Sequence, residues 1–290
     1  MVKTVEEGFR VFHERLTPTG GESEAAKRHR ASIEMCLKNN FRITRFFRTG
    51  SFGNGTSIRG YSDADYFASI PTENLKQDSS ATLREVRNVL DARFPNTGVA
   101  VRTPAVLVPF GTDTSESTEV VPADFIEEDE NGYPIYEIAD GSGGWIKSCP
   151  DAHNAYVTYI NGELGRKVKP LVRFLKAWKY NRNVPISSFY LELRVAKYAS
   201  GENSILYSID VKNVLKMLWD NQLAAIQDPM GISGYIYPCS TDTKKYDALS
   251  KLETALVRTQ KAREAEEAEK IRDAFYWWNL VFAEKFPAYE

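Results

Sequence analysis

The opening stretch through Leu16 mixes charges with apolar residues at helical spacing, and from Glu22 to Asn39 apolar positions again recur at helical intervals until Asn39-Asn40 closes the pattern. The second stretch predicts a partly exposed helix, and N-terminal helices are expected to open the chain. The character then changes: Ile43 to Thr49 is β-branched and aromatic, and it runs straight into Gly50-Ser51-Phe52-Gly53-Asn54-Gly55-Thr56-Ser57, which predicts a strand feeding a glycine-rich loop or turn. Tyr61 to Ile70 reads as a second strand ended by Pro71, and residues 79–94 have helical periodicity. Val99 to Arg102, Ala105 to Pro109 and Glu119 to Phe125 are short β-rich runs, expected to be neighbours in one mixed sheet. A loop-rich stretch is expected from Glu127 to Pro150, after which residues 163–181, 187–199, 209–225 and 243–285 read as helices. The pattern predicts an α+β lobe over residues 1–150 followed by an all-α lobe over 151–290, with the active site expected in the cleft between them.

At 290 residues the chain can bury a substantial core without covalent staples. Its three cysteines, Cys36, Cys149 and Cys239, are widely spaced and form no C-x-x-C, which argues against a disulfide framework or a zinc site and fits a reducing cytoplasm. No stretch approaches the roughly 18 apolar residues of a membrane span, so a soluble, untargeted protein is expected. A net charge of −2 leaves no global footprint for a long nucleic acid, so any nucleotide site must be local.

The candidate chemistry lies in Tyr61-Ser-Asp63-Ala-Asp65-Tyr-Phe67. Residues i and i+2 of a strand share a face, so Asp63 and Asp65 would project their carboxylates side by side, an arrangement that is costly unless a cation neutralises it. Mg²⁺ prefers one or two carboxylates plus waters and phosphates. Taken alone, the pair is equally compatible with a solvated turn. Asp124 follows Val120-Val121 and offers a third carboxylate from a neighbouring strand, with the role of base toward the attacking hydroxyl. Three carboxylates can hold two ions, Mg²⁺ or Mn²⁺, about 3.5–4 Å apart, stabilising the attacking and leaving oxygens of a phosphoryl displacement. The glycines of the preceding loop would let backbone N–H groups approach phosphate oxygens, with the Ser51 hydroxyl as a further donor, although the loop has neither the Walker lysine nor the Rossmann spacing.

In combination, Gly50-Ser51, Asp63-x-Asp65 and a later strand aspartate at Asp124 resemble the signature of the polymerase-β-like nucleotidyltransferase superfamily. The stretch GSFGNGTSIRGYSDADYFASI, together with the later helices, resembles the bacterial cGAS/DncV-like nucleotidyltransferases (CD-NTases), which make cyclic oligonucleotide signals in anti-phage defence. That resemblance implies a helical-lobe helix whose basic residues grip a triphosphate, and Lys169-Pro-Leu-Val-Arg173-Phe-Leu-Lys176-Ala-Trp178-Lys179 is similar to it, with Arg173 and Lys176 in the gripping positions. Positions three apart share a helical face, and residues 164–182 carry basic but no acidic side chains; the plainer alternative is a solvated basic face. Ser187-Ser188-Phe189 resembles the family segment in which a serine contacts the triphosphate and an aromatic stacks on the base, roles that fall to Ser188 and Phe189; alternatively Ser187 caps a helix and Phe189 is core.

The resemblance implies nucleoside triphosphate substrates, pyrophosphate release, a cyclic di- or trinucleotide product, and a regulatory protein or effector partner encoded in a defence operon. It requires neither a membrane nor a long nucleic acid. Two rivals stay open: a same-superfamily enzyme acting on an RNA end or a protein acceptor, and a nucleotide-binding module that has lost catalysis. His13, His29 and His153 sit at neither ligand nor triad spacing, and no role is assigned to them.

Overall fold

Alternation along one strand decides the sheet. In β2 (Ala64–Ser69) Ala68 joins the cluster built on α2 (Glu24–Phe41) and α4 (Ser79–Arg93), where Ile33, Leu37, Leu83, Val86 and Leu90 are buried, while Phe67 points the other way. This computed structural model describes residues 3–18, 24–61, 64–111 and 117–290. β1 (Arg45–Arg48), β2, β3 (Ala100–Arg102), β4 (Ala105–Val108) and β5 (Thr118–Glu128) form a mixed sheet in the order β1-β2-β5-β4-β3. Among the described residues only the β2–β5 pairing is parallel, and β6 (Pro134–Ala139) and β7 (Trp145–Ser148) extend the sheet from the far half of β5. The face away from α2 and α4 carries a smaller cluster of Phe47, Phe67, Val121, Ala123 and Tyr136. Contacts gather Thr19–Gly55 and Ser62–Asn154 into this sheet unit.

The second unit is helical and comprises Met1–Pro18, Thr56–Tyr61 and Ala155–Glu290. Helix α1 (Val5–Leu16) starts at a capping box, the Thr4 hydroxyl accepting from the Glu7 N–H and the Glu7 carboxylate accepting from the Thr4 N–H. Its Phe9 ring meets the edges of Phe174 at 5.0 Å and Trp278 at 4.9 Å, contacts each worth about 0.5–1.5 kcal/mol beyond the area they bury. Those rings sit on α6 (Val168–Asn181) and α10 (Ile271–Val281) and bring the N-terminal helix into this unit. The division is therefore not the single cut at residue 150 that the sequence suggests. The unit also contains α7 (Ser188–Ala199), α8 (Tyr207–Asp220), α9 (Asp242–Glu267) and a two-stranded ribbon of β8 (Ile226–Gln227) and β9 (Tyr235–Ile236).

Three expectations about elements are corrected. The stretch 127–150 is not loop: it holds β6 and β7, with Asp129 accepting from the N–H groups of Asn131 and Tyr133 to make the turn between β5 and β6. The helical run starts earlier, at α5 (Pro150–Glu163), with proline at its first position, where no N–H is needed. The pattern over 243–285 is two helices, parted where Glu269 takes φ +57°. Among the described residues no helix is long and apolar enough to cross a membrane. Among the described residues Cys36, Cys149 and Cys239 form no disulfide.

Candidate active site

The glycine loop and the first carboxylate are packed together. After β1 the chain makes one helical turn, α3 (Gly50–Gly53), and the Thr49 N–H donates to the Asp65 carbonyl oxygen at 2.8 Å. Gly50 has φ +59°, and a Cβ there would overlap the Asp65 carboxylate. Glycine is thus required at Gly50 twice over, by its backbone conformation and by the aspartate beside it. Ser51 follows in the same turn. Asp63 lies outside the described residues.

The register of β5 against β2 decides the next carboxylate. Asp65 is directly opposite Glu119, and Phe67 is opposite Val121, so the half-buried Glu119 side chain shares the face of Asp65. Asp124 does not. It lies five residues further along β5, roughly 16 Å at about 3.3 Å per strand residue, and an odd step along a strand reverses the face. Its carboxylate is 8% exposed and accepts from the Thr72 hydroxyl at 2.8 Å. Burial pushes its pKa up, the Thr72 hydrogen bond pulls it down, and the charge of Glu73 pushes it up again. The carboxylate opposite Asp65 is therefore Glu119 and not the expected base and metal ligand Asp124, which instead holds the segment after β2 through Thr72. The alternation in Glu119-Val-Val-Pro-Ala-Asp124 contained this signal, because Asp124 has the parity of the helix-facing Val120. Among the described residues no three side chains are grouped to hold a metal. The donor set of Asp65 and Glu119 nevertheless has the hard carboxylate chemistry that suits Mg²⁺ or Mn²⁺.

In the helical unit the two side chains expected to grip phosphate differ in burial. Arg173 is half-buried on α6, its Nε donating to the Ser57 carbonyl oxygen at 3.1 Å and its Nη1 meeting His13 Nε2 at 2.8 Å. Lys176 is turned inward and is only 1% exposed. Its ammonium donates to Glu192 at 2.6 Å and to the Thr56 hydroxyl at 2.9 Å, and that hydroxyl donates to Glu192 at 2.8 Å. This closed buried triad replaces the expected phosphate contact of Lys176, because its charge is already neutralised by a carboxylate on α7 that spacing within α6 could not reveal. The cation beside Ser188 is Lys179, whose ammonium donates to the Ser188 hydroxyl at 2.5 Å and lies 4.5 Å from the Tyr180 ring centroid. Burial, and then the charge of Lys176, push its pKa down to about 8. Ser187 caps α7, its hydroxyl accepting from the Tyr190 N–H. Phe189 is 42% exposed and so is not core.

The model of the Second Messenger Oligonucleotide or Dinucleotide Synthetase (SMODS) domain matches residues 3–161, more than half of the sequence. The chain belongs to the SMODS family. The match takes in Gly50, Ser51, Asp63, Asp65 and Glu119 and stops short of Arg173, Lys179, Ser188 and Phe189. This SMODS chain is similar to a probable cyclic nucleotide synthase of Bacillus cereus (strain VD146), 28% identical over 176 residues, or 59% of this chain and 52% of that one. It is also similar to a CBASS oligonucleotide cyclase, CdnC, of Escherichia coli (strain KTE188), 28% identical over 172 residues, or 55% and 53% of the two chains. The SMODS chain thus spans about half the length of the curated relatives it matches. Its fold is that of E. coli MS115-1 CdnC, solved with ATP (TM-score 0.74, 18% identical, 98% of this chain and 99% of that one) and in a CdnC:HORMA-deltaN complex (TM-score 0.73, 18% identical, 98% of each).

Proposed function

We propose that this SMODS chain is a divalent-metal-dependent nucleotidyltransferase that joins ribonucleoside triphosphates into a cyclic di- or trinucleotide, releasing pyrophosphate, in anti-phage signalling. The observation that carries this reading is the lateral pair Asp65–Glu119 on parallel strands with Gly50 packed against Asp65. Asp63, Asp65 and Glu119 would hold two ions. When bound, those ions supply charge neutralisation at the attacking and leaving oxygens of the displacement. The chain's own groups do the rest. Glu119 accepts the proton of the attacking ribose hydroxyl, and Ser51 with the backbone N–H groups of the Gly50 turn donates to phosphate oxygens. Arg173 and Lys179 neutralise the triphosphate, Ser188 donates to it, and Phe189 stacks on a base without specifying it. A second transfer in the same site closes the ring. ATP is the first candidate substrate and a HORMA-type protein the first candidate regulator, since the CdnC structures are with those molecules.

The test is incubation of the purified protein with four labelled ribonucleoside triphosphates and Mg²⁺ or Mn²⁺, followed by phosphatase treatment and mass spectrometry, beside Asp65→Asn. A phosphatase-resistant cyclic product that vanishes in the variant is expected. A linear or protein-linked product would instead establish the acceptor-swapped enzyme.

A further inference from the structure

Among the described residues Arg173 is held by His13 and by the Ser57 carbonyl oxygen, and His13 titrates. A guanidinium has five N–H donors and no acceptor, so His13 Nε2, 2.8 Å from Arg173 Nη1, must present its lone pair, which leaves the ring proton on Nδ1. The Thr17 hydroxyl lies 3.4 Å from the same nitrogen but donates to the His13 carbonyl oxygen at 2.8 Å, so it does not compete. The second anchor, the Ser57 carbonyl oxygen on Nε, has no charge to change. His13 is in α1 and Arg173 in α6, so the contact reaches across two helices of one unit.

We infer that His13 is a positioning residue for nucleotide binding: as a neutral imidazole it fixes the Arg173 guanidinium toward the triphosphate, and on protonation it releases it, weakening binding at acid pH. This rests on the phosphate role of Arg173 proposed above. Proton uptake at Nε2 would remove the acceptor and set two cations in contact. Burial, and next the charge of Arg173, hold the His13 pKa below its usual 6.5, with Glu14 opposing them. Among the described residues the charged and titratable groups around the ring are Glu6, Glu7, Arg10 and Glu14 of α1, Lys167 at the start of α6, Arg173, and Tyr207 of α8, the Glu7 carboxylate accepting from the N–H groups of Lys3 and Thr4. Glu14, which favours the protonated ring, is itself paired with Arg10 at 2.9 Å. Lys167 donates to the Ile205 carbonyl oxygen, and burial raises the pKa of the Glu6 carboxyl.

The test is calorimetric binding of Mg²⁺-ATP to the full chain between about pH 5.5 and 8, which brackets the histidine range. His13→Leu removes the acceptor and is expected to weaken binding about tenfold near neutral pH. His13→Gln supplies a carbonyl oxygen that accepts but does not titrate. It should keep wild-type affinity near neutral pH and lose much of the wild type's weakening below about pH 6.5, whereas titration of ATP itself is common to every variant. Arg173→Gln should weaken binding at every pH. If Arg173→Gln binds ATP like the wild type, the phosphate role of Arg173 is wrong. If it binds weakly while His13→Leu and His13→Gln follow the wild type across the range, the His13 inference alone is overturned. Melting temperatures of all variants separate a folding defect from lost positioning, because a purely structural histidine would not give a flattened acid limb in His13→Gln.

Discussion

Exchanging the two candidate third carboxylates separates strand register from sequence proximity. Glu119→Gln keeps the shape of a side chain placed directly opposite Asp65 but removes its charge. Where that charge holds a divalent ion, its loss costs several kcal/mol of transition-state stabilisation, and about 3–4 kcal/mol corresponds to a fall in turnover of roughly 10²–10³. The fold should change by no more than about 1 kcal/mol, because only one member of a cross-strand pair is neutralised. Asp124→Asn keeps an oxygen to accept from the Thr72 hydroxyl, on the opposite face and five residues along β5. Its turnover is expected to stay within about twofold, and its stability within about 1 kcal/mol, the net worth of an ordinary hydrogen bond. Burial raises the Asp124 pKa, so folding loses stability as pH rises through the carboxylate range. Asparagine does not titrate and should flatten that loss, leaving Asp124→Asn no less stable than the wild type near neutral pH. The assay is pyrophosphate release at saturating Mg²⁺, with melting temperatures measured alongside. If Asp124→Asn lost as much turnover as Glu119→Gln at an unchanged melting temperature, the register argument would be refuted.

Three further outcomes follow from the same structure. Lys176→Met leaves Glu192 buried without its cation and should destabilise the fold by about 3–5 kcal/mol in urea unfolding, while Lys176→Met with Glu192→Leu should recover most of that loss; a single variant as stable as the wild type would contradict the buried triad. Gly50→Ala forces a Cβ onto the Asp65 carboxylate at positive φ, and it should abolish turnover while lowering stability by only about 1–2 kcal/mol in thermal melts; retained turnover would deny the contact any role. Lys179, with its pKa pushed down to about 8, loses charge as pH rises through that value, so ATP affinity should fall between about pH 7 and 9 in the wild type and not in Lys179→Arg. Parallel titrations of the two proteins would show that Lys179 does not touch phosphate.

Much of this was legible in the sequence because it depends on local rules. Alternation through Asp65-Tyr66-Phe67 marked β2, the glycines marked the turn at Gly50, and helical spacing marked α6 and α7. What escaped depends on partners distant in sequence. Glu119 becomes the neighbour of Asp65 only when β5 lies parallel to β2 in one register, and an aspartate further along the same strand drew the assignment. Spacing within α6 presents Lys176 as a phosphate-gripping cation because its countercharge, Glu192, is on another helix, and spacing gives His13 no role because Arg173 reaches it from α6. The break between α9 and α10 was hidden for a different reason: Glu269 takes the left-handed conformation without glycine or proline to announce it.

The most direct test of the account is anomalous diffraction from crystals grown with Mn²⁺ and a non-hydrolysable ATP analogue. Manganese peaks within bonding distance of Asp65 and Glu119, and none at Asp124, are the result expected. Manganese at Asp124, or a nucleotide bound with no metal on Asp65 and Glu119, would contradict the assignment.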